Sequence, residues 1–103
     1  MLVMQISKHS PGHCPLLNED SKKAFATLMR KMDSLLGKHG VKVLGMWNDT
    51  PAHTIYAVFE APNTESFMAL GREPEMMAWL VHNVVENRPV ITPDEVKALL
   101  GIK

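Results

Sequence analysis

The chain has 103 residues, 46% of them hydrophobic and 21% charged, which excludes a disordered chain and supports one globular domain over residues 1–103. Eleven Lys+Arg balance eleven Asp+Glu, so the formal net charge is zero and a phosphate-reading nucleic-acid surface is not expected. The single cysteine, Cys14, excludes an intrachain disulfide, and no apolar run reaches the ~20 residues of a membrane span.

The N-terminal stretch MLVMQISKHSP lacks a basic start, a long apolar core and a cleavage site, so the expected location is cytoplasmic. Leu2 to Lys8 alternates Leu2, Met4 and Ile6 against Val3, Gln5 and Ser7, a strand period. His9 to Pro15 holds two prolines and a glycine and is read as a loop. Asn18 or a neighbour then opens a helix, with Glu19 and Asp20 in its first turn. Phe25, Leu28, Met29, Met32, Leu35 and Leu36 make its apolar stripe, and Gly37 and Gly40 end it.

Val41 to Trp47 reads as a second strand, with Val41, Val43, Gly45 and Trp47 on one face and Lys42, Leu44 and Met46 on the other. Asn48 to Thr54 is turn chemistry, and Ile55 to Glu60 completes a hairpin. Asn63 or Thr64 caps a second helix through Phe67, Met68 and Leu70, interrupted at Gly71 and Pro74. Pro74 starts a further turn through Met76, Met77, Trp79 and Leu80. Asn83 to Ile91 is a fourth strand, and Pro89 within it implies an edge or a bulge. Thr92, Pro93 and Glu95 form a capping box for a short last helix carrying Val96, Leu99 and Leu100.

The order β-α-β-β-α-β plus a C-terminal helix is the ferredoxin-like arrangement: α+β, with a four-stranded antiparallel sheet covered by helices on one face. Three of the strands carry apolar groups on both faces, so the open face needs a cover. A second copy packing sheet to sheet is the expected cover, making a homodimer.

With this order, the start MQISKHSPGHCP, GMW before the hairpin, FEAPNTE before the second helix and RPVITPDE at the end, the chain resembles the dimeric α+β barrel superfamily. That resemblance implies a small-molecule pocket between sheet and helices. Its members include cofactor-free monooxygenases, haem-degrading enzymes, isomerases and stress-response proteins, and the fold does not choose among them.

Topology sorts the five histidines. With the first strand running upward, His9, His13 and Cys14, then His53, then His82 all fall at the top edge of the sheet, and His39 at the opposite edge. Imidazole and thiolate are ligands for zinc, copper or iron, so these five residues are the candidate metal or haem set. Exposed loops commonly hold histidine without a metal, however, and the spacing matches no named zinc pattern. Cys14 is read either as a small buried hydrophobe or as a thiol near a helix start. The eight methionines, including Met29, Met32, Met68, Met76 and Met77, are read mostly as core filler.

Gln5, Met46, Trp47, Tyr56 and Phe67 are the candidate ligand-binding residues, although core or dimer-interface roles are the more common use of such residues. His9 and His53, at the pocket mouth, are the candidate proton acceptors. The leading expectation is a homodimer that binds a small molecule, acting without a cofactor if it is an enzyme. The alternatives are a metal or haem protein and a non-enzymatic accessory dimer.

Overall fold

The computed structural model describes residues 1–103. Strand β1 spans Leu2–Lys8, helix α1 Glu19–His39, β2 Lys42–Asp49, β3 Thr54–Glu60, α2 Thr64–Gly71, α3 Pro74–Leu80, β4 Val84–Val90 and α4 Pro93–Leu100. The sheet runs in the order β2-β3-β1-β4 with every neighbouring pair antiparallel. This is the expected α+β, ferredoxin-like architecture. β4 lies at an edge, where the missing N–H of Pro89 does least damage to the ladder.

Local chemistry sets the helix ends. The Asn18 side chain accepts a hydrogen bond from the Ser21 N–H at 3.0 Å and starts α1. The helix runs through Gly37, which was expected to end it, and stops at His39. Only Gly40 takes the left-handed conformation, at φ 66°, that lets the chain turn out of a helix. Asn63 caps α2 by accepting from Ser66 N–H at 2.8 Å. Thr92 and Glu95 complete the capping box of α4.

The inner sheet face carries Val3, Ala57 and Phe59, all buried. Ala57 and Phe59 meet Leu28, Leu35 and Leu36 of α1, Leu70 of α2, and Met76 and Trp79 of α3 in one core. Each fully buried leucine of this size contributes roughly 1.5–3 kcal/mol.

The faces of β2 differ from the alternation expected. Val43 pairs with Phe59, but the next paired residue is Gly45, opposite Val58. The extra residue, Leu44, is a bulge. It reverses parity, so Met46 joins Val43 against the core while Trp47 turns outward. The methionines also depart from expectation. Only Met76 is fully buried, Met32 and Met46 pack at the core edge, and Met1, Met4, Met29, Met68 and Met77 are exposed. Met29, Met68 and Met77 rim the helices, and Met4 lies on the outer sheet face, rather than filling the interior.

The outer sheet face has no helix against it. It exposes Leu44, Trp47 and Tyr56, with Met4 and Val84 beside them. Helix α4 buries none of its residues. No helix is long and apolar enough to cross a membrane.

Candidate functional site

Three segments meet at the top of the sheet. β1 ends at Lys8, and the N–H of His9 donates to the carbonyl of His53 at 3.1 Å, so the β1–β3 ladder continues one step beyond its last pair. His53 sits in the β2–β3 turn, and its own N–H donates to Thr50 O at 3.1 Å. It is the one non-glycine residue at positive φ, 50°, a conformation that costs of order 1 kcal/mol. After His9, a 3-10 turn over Pro11–His13 brings Cys14 back toward the sheet. The Cys14 N–H donates to Pro11 O, and its carbonyl accepts from the N–H groups of Leu17 and Asn18.

These bonds gather His9, Cys14 and His53. One ligand atom from each lies within 4.8 Å of the others. The His9 and His53 rings meet edge to face with centroids 5.4 Å apart, and Trp79 flanks His9 at 6.0 Å. His9 is 8% exposed and Cys14 6%.

Neither ring nitrogen of His9, nor Nδ1 of His53, has a hydrogen-bond partner, although all three atoms are buried. Each such orphan costs roughly 1–3 kcal/mol, and native proteins hold few of them. Burial pushes the His9 imidazole below its ordinary pKa of 6.5. The Asn83 carboxamide opposes that shift, and the neighbouring His53 and His13 add to it. Asn83 Oδ1 is itself buried and completes no hydrogen bond of ordinary geometry.

The cluster borders a cleft of about 160 Å³. Its apolar walls are Pro15, Leu16, Phe25 and Ile55, with Asp49 and Thr50 at the turn. On the other side His9 and His53 border a shallow groove with Ile6, Lys8, Val84 and Glu86, so the two rings separate inner cleft from outer sheet face.

The other candidates fall into separate places. His13 and His82 form their own exposed pair, Nδ1 to Nδ1 at 2.9 Å. The five residues of the top edge therefore divide into a triad, with His9 and Cys14 buried and His53 half-buried, and a surface pair. His39 is at the far end, 2.8 Å from Glu73. Gln5 and Phe67 line a different cavity of about 220 Å³ under α2 and α3, where Gln5 Nε2 donates to Asn87 Oδ1 at 2.9 Å. Met46 packs against the core. Trp47 and Tyr56, a cross-strand pair, lie on the outer sheet face. The five candidate ligand residues thus do not line one cavity. The bulge and the strand parity put them on both sides of the sheet.

Sequence reasoning missed Phe25, Trp79 and Asn83 as members of the site. Phe25 and Trp79 read as helix-stripe residues, and their ring contact at 5.0 Å is a packing fact. Asn83 adjoins His82 at the same helix-to-strand junction, and that adjacency was the available signal.

Residues 3–101 match the family described as "Domain of unknown function (DUF3303)". No curated protein matches the chain. Among solved structures, the chain is similar to a protein from Caulobacter crescentus CB15 described as a "putative antibiotic biosynthesis monooxygenase". The TM-score is 0.54 at 14% identity, covering 88% of this chain and 91% of the other. It is also similar to an uncharacterized NIPSNAP domain protein from Burkholderia xenovorans, with a TM-score of 0.49 at 12% identity, covering 90% and 97%. At 14% identity, the first likeness is one of fold.

Proposed function

The chain belongs to that family, a domain of unknown function, and from this premise we propose that it is a homodimeric small-molecule-binding protein whose ligand sits in the cleft at the histidine edge. The observation that carries this reading is His9, a buried imidazole with both nitrogens unpaired in the wall of an apolar-sided cleft. A polar atom of a ligand supplies the hydrogen bond that the protein withholds. The cleft is smaller than the ~300–1,000 Å³ of pockets for drug-sized molecules. The ligand is therefore small, with an apolar body against Phe25 and Ile55 and one polar end at His9 and His53.

The dimer belongs to the same reading. Leu44, Trp47 and Tyr56 are 55%, 59% and 40% exposed on the uncovered sheet face, the apolar surface a second sheet would bury. The resemblance to the dimeric α+β barrel superfamily supports that pairing. The reading keeps the cytoplasmic location expected from the sequence, in keeping with a lone free cysteine.

Native mass spectrometry of the purified protein tests both halves. The expected species is a dimer with an organic adduct. The variant Phe25→Trp, which fills the cleft, should lose the adduct and the binding of the apolar fluorescent probe anilinonaphthalene sulfonate while remaining a dimer. A monomer overturns the paired sheets. Undiminished probe binding by Phe25→Trp overturns the cleft.

A further inference from the structure

We propose that His9, Cys14 and His53 together bind one divalent transition-metal ion of the zinc type. Two imidazoles and one thiolate form a nitrogen–sulfur set that suits zinc or copper and not magnesium or calcium. The three ligand atoms already lie within 4.8 Å of one another. Tetrahedral zinc, at ~2.0–2.1 Å from nitrogen and ~2.3 Å from sulfur, holds its ligand atoms about 3.4–3.6 Å apart. Metal entry therefore asks for a contraction of roughly 1 Å.

Proximity alone would not distinguish this cluster from ordinary loop histidines. Its burial and its missing hydrogen bonds do. His9 and Cys14 are more than nine-tenths buried, and His9 Nδ1, His9 Nε2 and His53 Nδ1 have no partner. A metal on one nitrogen of His9 leaves the other as an N–H donor. Metal-bound imidazoles donate that second N–H to a carbonyl or carboxylate, which fixes the ring. Asn83 suits this role. Its Nδ2 donates to Trp79 O at 2.9 Å, which orients the carboxamide, and its Oδ1 is buried with no partner of its own. One ion would thus account for orphaned groups on both sides of the His9 ring. The left-handed backbone of His53 adds a second mark of constraint on the same cluster.

All three residues border the cleft, so a fourth coordination position opens into it. A small ligand with an oxygen, nitrogen or sulfur donor would complete the shell, its polar end then meeting His9 through the ion in place of a direct hydrogen bond. That last step rests on the proposed ligand cleft, whereas binding of the ion does not. Each metal bound displaces the thiol proton of Cys14, because the thiolate is the ligand.

The test is titration of metal-free protein with Zn²⁺, and with Co²⁺ as a visible probe. One ion per chain is expected, with a thiolate-to-cobalt charge-transfer band. Cys14→Ser should abolish the band. His53→Asn, which keeps a residue at home in the left-handed region, should weaken binding roughly tenfold or more. Asn83→Ala should weaken it by about 10–100-fold with circular dichroism unchanged. Should Cys14→Ser not fold, His53→Asn and Asn83→Ala still decide the matter. Binding that survives in His53→Asn, or that is lost only when His13 and His82 are replaced, overturns the site. Absence of Co²⁺ binding alongside intact fluorescent-probe binding sinks the ion and leaves the cleft. Ion binding with no cleft occupancy does the reverse.

Discussion

The backbone N–H of His9 donates to the carbonyl of His53 at 3.1 Å, and their imidazoles meet 5.4 Å apart between an inner cleft and an outer groove. The residues are 44 positions apart in sequence. One ladder bond beyond the end of β1 therefore sets the spacing of the two rings.

His53 pays for that position in backbone strain, at φ 50°. His53→Gly removes the imidazole and the strain together, since glycine takes positive φ freely. In metal-free protein its stability should fall within about 1 kcal/mol of the parent, because relief of strain offsets the greater entropy of the unfolded chain. Urea unfolding measures this. A loss of several kcal/mol would mean that the imidazole supports the fold by packing.

Glu73 clamps the other end of the molecule. Its carboxylate accepts from Lys38 Nζ at 2.7 Å and lies 2.8 Å from His39 Nε2. Hydrogen bonds from Lys38 and then His39 hold the Glu73 pKa below its ordinary value of 4.5, and Glu73 holds that of Lys38 above 10.5. The carboxylate therefore contributes stability that is present above its unfolded pKa and lost as pH falls through the lower native one. The ammonium contributes stability that is present below its unfolded pKa and lost as pH rises through the higher native one. Glu73→Gln should flatten the acid limb of the stability profile below about pH 4.5. Parallel acid limbs for parent and variant would refute the linkage.

Gly45 lies under an indole. A Cβ there would meet the Trp47 ring at 2.3 Å, so Gly45→Ala must displace Trp47. Trp47 is 59% exposed, so the monomer fold should change in stability by no more than about 0.5 kcal/mol. The outer face should change instead. Trp47 fluorescence should shift, buried Trp79 should not, and a sheet-to-sheet dimer should weaken. An unchanged dimer would place the interface elsewhere.

Thr92→Ala removes the capping box of α4. Losing such a cap costs about 1 kcal/mol locally. Because α4 buries none of its residues, the loss should show as faster hydrogen exchange over Pro93–Leu100 with little change in the global midpoint. A matching fall in the midpoint would mean that α4 is packed in solution, as it would be against a second copy.

Much of this protein was written in short-range sequence chemistry. Asn18, Asn63 and Thr92 cap helices because their side chains accept hydrogen bonds from backbone N–H groups three residues on. The alternation in β1 and β3 and the order of the elements were enough for the four-stranded α+β sheet, and chain direction alone was enough to bring His9, Cys14 and His53 to one edge. Tertiary structure decided the rest. The bulge at Leu44 reversed the faces of Met46 and Trp47, because strand register depends on a partner that periodicity does not contain. Five edge residues divided into an inward triad and an exposed pair, because the 3-10 turn folds Cys14 inward and leaves His13 outside. Phe25, Trp79 and Asn83 joined the site only through packing, which acts between residues distant in sequence and leaves no local pattern to read.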